Sequence, residues 1–132
     1  MFGKIKNDIL GKNYELSIAF VEEKKSREIN KRYRKWNKAA NVLSFALSRN
    51  AGEIVLCPAV IRKEAKKLNR TYRQWLRFLV IHGLLHLKGM KHSSTMEKRE
   101  KYYDQKYFYR NRRGVLNDKS RSGRVFKRRK KS

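Results

Sequence analysis

Thiols, proline and acid are all scarce in this chain. A single cysteine, Cys57, excludes an intrachain disulfide, and its place in an apolar, strand-like run suits a buried thiol in a cytoplasmic protein. One proline, Pro58, leaves long stretches free to be helix or strand. No apolar run is long enough to span a bilayer. The most apolar segment, Trp75 to Leu87, is short and contains Arg77 and two histidines. The opening residues, MFGKIKNDILGKN, lack the apolar segment of a secretory leader. Acids number 11 against 36 lysines and arginines, so the formal net charge is +25 over 132 residues. That length suits one domain. That charge suits a polyanionic partner, with nucleic acid ahead of an anionic membrane surface, and no membrane association is expected.

Histidine is scarce too, and all three copies fall in one stretch: His82-Gly-Leu-Leu-His86-Leu-Lys-Gly89-Met-Lys-His92. Residues four apart on a helix share a face, which stacks His82 and His86 one turn apart. Gly89 allows a positive φ at the helix end, and His92 then swings back toward the same point. A lone histidine on an apolar helix is ordinarily a hydrogen-bonded core residue. Three that converge make a metal site with an open fourth position, the arrangement of a catalytic zinc. The spacing also follows the zinc-protease pattern H-E-x-x-H-x-x-G-x-x-H, with one departure. Such proteases need a glutamate after the first histidine as general base, and Gly83 stands there. Peptidase activity is therefore not expected.

Periodicity places the motif in an α/β (α+β) domain. Tyr14 to Phe20 alternates as a strand, and residues 1–12 carry no decisive period. Ser26 is a candidate N-cap for a helix to about Trp36, with Ile29, Tyr33 and Trp36 along an inward face. Asn41–Leu47 and Glu53–Cys57 read as a strand hairpin with a turn over Ser48–Gly52. Pro58 opens a helix to about Leu68. Thr71 and Gln74 form a capping-box pattern for a helix to Leu87 that carries Trp75, Leu79, His82 and His86 on one side. Ser94 and Glu97 repeat that pattern before a last helix to about Tyr109, whose inward face is Met96, Tyr103 and Tyr107. The expected architecture is a small mixed sheet packed with helices, with the metal site on a central helix and the turn after it. The folded domain is expected over residues 1–109. From Arg110 to Ser132 basic residues dominate, ending in Lys127-Arg-Arg-Lys-Lys131. This reads as an extended or disordered tail that adds salt-sensitive affinity for RNA.

These residues together resemble the YbeY family, bacterial metal-dependent endoribonucleases of ribosomal RNA maturation. HGLLHLKGMKH is similar to its H-G-x-L-H-L-x-G-x-D-H signature, with Lys91 in place of the Asp. Ile29-Asn30-Lys-Arg-Tyr33-Arg34 resembles its L-N-x-x-Y-R element. Asn41-Val-Leu-Ser-Phe45 resembles its T-[DN]-V-L-S-F-P strand, and Gly52-Glu-Ile54 its G-D-I strand. Ala40, Ala46 and Glu53 depart from the usual Thr, Pro and Asp. The resemblance covers roughly residues 14–105 and not the basic tail.

The resemblance implies one divalent metal, zinc in the first instance, held by His82, His86 and His92. Imidazole ligands also suit nickel, copper and iron. It further implies cleavage of single-stranded RNA, 3′-end maturation of small-subunit rRNA, ribosome quality control, and partners among ribosomal proteins and assembly GTPases. A metal with three histidines has room for a water and a phosphate oxygen, and lowers the water's pKa toward about 7. His86 and Arg34 are the expected catalytic residues, Arg34 as a planar fork for phosphate. Arg34, Lys35 and Lys91 are the expected substrate contacts, since Lys91 cannot support a histidine as the family Asp could. Ser44 and Asn41 are strand residues that the resemblance places at the cleft, and Glu53 is a weak candidate base. The alternative from another class is a ribosome-associated RNA-binding assembly factor with little or no catalysis.

Overall fold

The computed structural model describes residues 2–110. Along them run α1 (Gly3–Leu10), β1 (Glu15–Phe20), α2 (Glu23–Arg34), β2 (Val42–Ser48), β3 (Ala51–Leu56), α3 (Pro58–Lys67), α4 (Tyr72–Leu87) and α5 (Ser94–Arg110). The central strand is β3, parallel to β1 and antiparallel to β2, which makes the small mixed sheet that the periodicity implied. A continuous apolar run suits a strand covered on both faces. Ile54 and Leu56 of β3 join Val42 and the helices α1, α3, α4 and α5 in the main core. Val55, between them, turns to the other face and packs with Leu43, Phe45 and Ile29 of α2. The sheet thus divides the molecule: α4 lies on one side and α2 on the other.

Helix α4 is the axis of the main core. Its start is a full capping box, with the Thr71 hydroxyl accepting from Gln74 N and the Gln74 side chain accepting from Thr71 N. From Trp75 to Leu85 every residue is buried, so the expected one-sided stripe is a helix covered all round. Even Arg77 is inside. Burial pushes its guanidinium pKa down, and Asp104 of α5, 3.5 Å away, opposes that shift.

Several local expectations give way to tertiary contacts. Residues 1–12 contain α1, which buries Ile5 and Ile9 a turn apart; Asp8 ties it to Tyr107 and Lys106 of α5. Ser26 is not an N-cap, because α2 starts at Glu23 and Ser26 lies a turn inside it, buried. Its hydroxyl donates to the Ala40 carbonyl at 2.9 Å and accepts from Ala40 N at 2.8 Å, so a distant strand lead-in claims the group that a cap would have used. α2 stops at Arg34, and Lys35 turns out of it in the left-handed region at φ 62°. Tyr33 and Trp36 are not core residues: they are 61% and 47% exposed. The β2–β3 turn is shorter than expected, because β3 already begins at Ala51; Arg49 and Asn50 close it. For α5 the cap is Ser93, whose Oγ accepts from Met96 N, not Ser94 paired with Glu97. Beyond Arg110 the expected basic tail lies outside the described residues.

The point where α4 meets the edge strand β2 has a strict size limit. Ser44 Oγ donates to the Gly83 carbonyl at 3.3 Å. A Cβ on Gly83 would stand 2.9 Å from Ser44 Oγ and 3.1 Å from Ile54 Cδ1. Any side chain at this position would press on Ser44 and Ile54, whose ends would have to shift. Gly83→Leu is expected to lower stability by about 1–3 kcal/mol through overpacking, measured by urea unfolding. Unchanged stability would contradict this account of the contact.

Candidate metal centre

Two turns of α4 and the loop after it bring the three histidines together. The helix ends in a Schellman turn: Met90 N bonds Leu85 O at 3.1 Å, and Gly89 N bonds His86 O at 2.9 Å. Gly89 takes φ +105°, the positive value expected of it. The chain reverses there, and the ring centroid of His92 comes to 4.7 Å from that of His86 and 5.3 Å from that of His82. One ligand nitrogen from each histidine lies within 4.8 Å of the others. The set grades from buried His82 through half-buried His86 to exposed His92, so the site opens on the His92 side.

Hydrogen bonds decide which nitrogen each ring offers. His82 Nδ1 lies 2.5 Å from a carboxylate oxygen of Glu100 on α5. His86 Nδ1 lies 3.1 Å from the Met90 carbonyl, which the Schellman turn has placed there. Both acceptors call for Nδ1–H, which in the neutral rings leaves Nε2 as the nitrogen with the lone pair. The two Nε2 atoms face each other at 3.2 Å. Lone pairs that close repel unless a cation stands between them. Two nitrogens at corners of a tetrahedral zinc with 2.0–2.1 Å bonds are about 3.3 Å apart. Donor type, tautomer and spacing all fit a zinc-sized ion.

Burial pushes the His86 imidazole down, the neighbouring His82 and His92 add to the effect, and its pKa falls to about 4. Metal binding needs neutral imidazole. At neutral pH no proton competes with a metal for this ring.

Glu100 is the residue that sequence reasoning missed. It is 3% exposed, on the same α5 face as Met96, Tyr103 and Tyr107. An acid at helical spacing among three apolar inward residues is a signal in its own right, because a buried carboxylate demands a partner. Glu100 also supplies the carboxylate support for a histidine that Lys91 cannot give. Lys91 itself is exposed, in the turn between Gly89 and His92.

The other expected site residues fall elsewhere. Arg34 and Lys35 are exposed at the end of α2, across the sheet from α4, and Arg34 lines a shallow cavity with Asn30 and Trp36. Among the described residues no hydrogen bond or ion pair joins either to the histidines. Glu53 alternates with Ile54 and is paired with Phe45, which puts it on the α2 side, away from the cluster. Asn41 is buried and donates to Glu64, which also accepts from Trp75, so its role is to tie β2 to α3 and α4. Ser44 alone of this group lies beside the cluster, through its bond to Gly83.

The profile described as Endoribonuclease YbeY matches residues 3–111. The chain belongs to the YbeY family. It is 39% identical over 83 residues to Endoribonuclease YbeY of Bdellovibrio bacteriovorus, covering 61% of this chain and 55% of that one. It is 34% identical over 104 residues to Endoribonuclease YbeY of Staphylococcus carnosus, covering 70% and 68%. With the YbeY of Cupriavidus metallidurans it shares 38% over 90 residues, 64% of this chain and 46% of the relative. The chain thus spans about half to two thirds of the length of these relatives. A solution structure from Thermotoga maritima matches the fold with a TM-score of 0.61 at 28% identity, over 90% of this chain and 89% of that one.

Two outcomes are expected of this YbeY site. Glu100→Ala should weaken zinc affinity about 10- to 100-fold by releasing the His82 ring, read by competition with a chromophoric chelator; equal affinity would show that Glu100 does not orient the ligand. In the metal-free protein, His86 takes up a proton near its ordinary pKa of 6.5 when unfolded and only near 4 when folded. The unfolded state binds more protons in that window, so stability falls as pH drops from about 6.5 toward 4. His86→Gln should flatten this part of the curve of unfolding midpoint against pH.

Proposed function

We propose that the chain is a metal-dependent endoribonuclease that cuts single-stranded regions of ribosomal RNA, matures the 3′ end of small-subunit rRNA and serves ribosome quality control. The observation that carries the reading is the pair of Nε2 atoms at 3.2 Å, each ring with an acceptor at its Nδ1, with His92 beside them. His82, His86 and His92 would hold the ion, with zinc as first choice. When bound, such an ion supplies Lewis-acid charge and makes water nucleophilic near neutral pH. The histidines' own part is to stay oriented; Glu100 and the Met90 carbonyl hold His82 and His86 so. Gly83 keeps the helix tight on β2, where the Ser44 hydroxyl bonds its carbonyl.

The net charge of +25 supports a polyanionic substrate. Arg34 and Lys35 would bind backbone phosphates, Arg34 with a planar fork that also suits charge developing on phosphorus. Lys91, beside His92 in sequence, would contact phosphate at the open side of the site. Partners on this reading are the small ribosomal subunit, with ribosomal proteins or an assembly GTPase, in the cytoplasm.

The test is cleavage of an end-labelled small-subunit rRNA 3′ precursor by wild type and His86→Ala, purified in parallel. Wild type is expected to cut, and the variant to fall to background while binding the same RNA. Equal cutting by both would mean that the histidine site is not the source of the activity. RNA binding without cutting by either would favour an assembly factor instead.

A further inference from the structure

The face of the sheet opposite the histidines carries aromatic rings in a setting that the metal centre does not use. Tyr33 and Trp36 are both exposed, and each has a cation at its ring: Arg32 Cζ lies 5.6 Å from the Tyr33 centroid, and Lys38 Nζ 5.7 Å from that of Trp36. Neither ring is loosely hung. Tyr33 meets Phe45 of β2 edge-on at 5.4 Å. The segment that carries Trp36 is pinned at Ala40 by buried Ser26 and at Lys38, whose carbonyl accepts from Asn30 Nδ2 at 2.8 Å. Buried hydrogen bonds therefore fix a short loop whose outcome is an exposed indole.

Charge and hydrogen bonding on this face point to one kind of occupant. Arg32 and Lys38 sit at the rings, Arg34 lines the same cavity as Trp36, Lys31 and Lys35 adjoin them in sequence, and no acid occurs between Glu28 and Glu53. Below Trp36 is a shallow cavity that Asn30 also lines. Asn30 is 1% exposed, and its side-chain oxygen has no hydrogen-bond partner among the described residues. Flat exposed rings in a cationic surround match an unstacked nucleobase with its phosphates. An acidic peptide would use the cations and leave the rings unused.

We propose that Tyr33 and Trp36 form a stacking platform for unpaired RNA bases, separate from the metal centre; this rests on RNA being the substrate. The platform lies on the α2 side of the sheet and the histidines on the α4 side. β2 is an edge strand that touches both, through Phe45 to Tyr33 and through Ser44 to Gly83. An RNA strand engaging both sites crosses the free edge of β2. The platform then selects substrate with several unpaired nucleotides beside the scissile bond.

The chain has two tryptophans, and Trp75 is 3% exposed in the core, so fluorescence change on ligand contact reports Trp36. The full chain would be titrated with oligouridylate of about twelve nucleotides, with chelator present and at about 0.3 M salt to shrink the purely electrostatic share. Expected results are saturable quenching that disappears in Trp36→Phe, and binding at least about fivefold weaker in Trp36→Ala. RNA binding with unchanged emission and equal affinity in Trp36→Ala would overturn the platform while leaving the RNA reading intact. Displacement of the RNA by polyglutamate of equal charge, without quenching, would assign the face to an acidic protein segment instead. Failure of wild type to bind RNA at all would remove the RNA reading itself.

Discussion

A buried imidazole must give its Nδ1 proton to an acceptor, and the site is built around meeting that demand twice. His82 finds Glu100, a carboxylate that is itself buried, and each removes the desolvation penalty of the other. His86 finds the Met90 carbonyl, available only because the chain turns at Gly89. Once both Nδ1 atoms are engaged, the Nε2 atoms have no choice of direction. The helix geometry then sets their separation, and the same turn that satisfies His86 delivers His92. Loss of either acceptor would leave ligands of the right type pointing the wrong way.

Burial of α4 on every side is what makes the site rigid. The sheet, α1, α3 and α5 enclose the helix, and the ligands sit where that enclosure opens at its C-terminal end. The close approach at Gly83 brings β2 under the first ligand. The position from which a zinc peptidase would present its base is this same glycine. One glycine thus lets the helix sit close on the strand. The sheet puts the positive, aromatic face of α2 on the far side, so the histidine cluster and the exposed rings of Tyr33 and Trp36 are separate structures that meet one edge strand.

What was legible in the sequence was what depends on neighbours in the chain. The histidine spacing, the Gly89 turn, the Thr71–Gln74 cap and the hairpin strands all follow from residues a few positions apart, and each formed. Ser26 misled because a cap and a buried tertiary hydroxyl look alike until Ala40, fourteen residues on, is seen against it. Tyr33 and Trp36 misled because helical spacing shows which residues share a face, but not whether anything covers that face. Glu100 was visible as an acid on an apolar face, but its partner is eighteen residues away on another helix. The carboxylate missing at Lys91 was sought within the histidine motif, whereas the fold brings one in from α5.

X-ray absorption at the zinc edge of the full-length, zinc-loaded protein tests the central claim most directly, with His92→Ala measured beside it. The account predicts one zinc per chain, with three imidazole nitrogens at about 2.0–2.1 Å and one oxygen, falling to two nitrogens in the variant. A zinc shell with fewer than three imidazoles in the wild type, or one unchanged by His92→Ala, would contradict it.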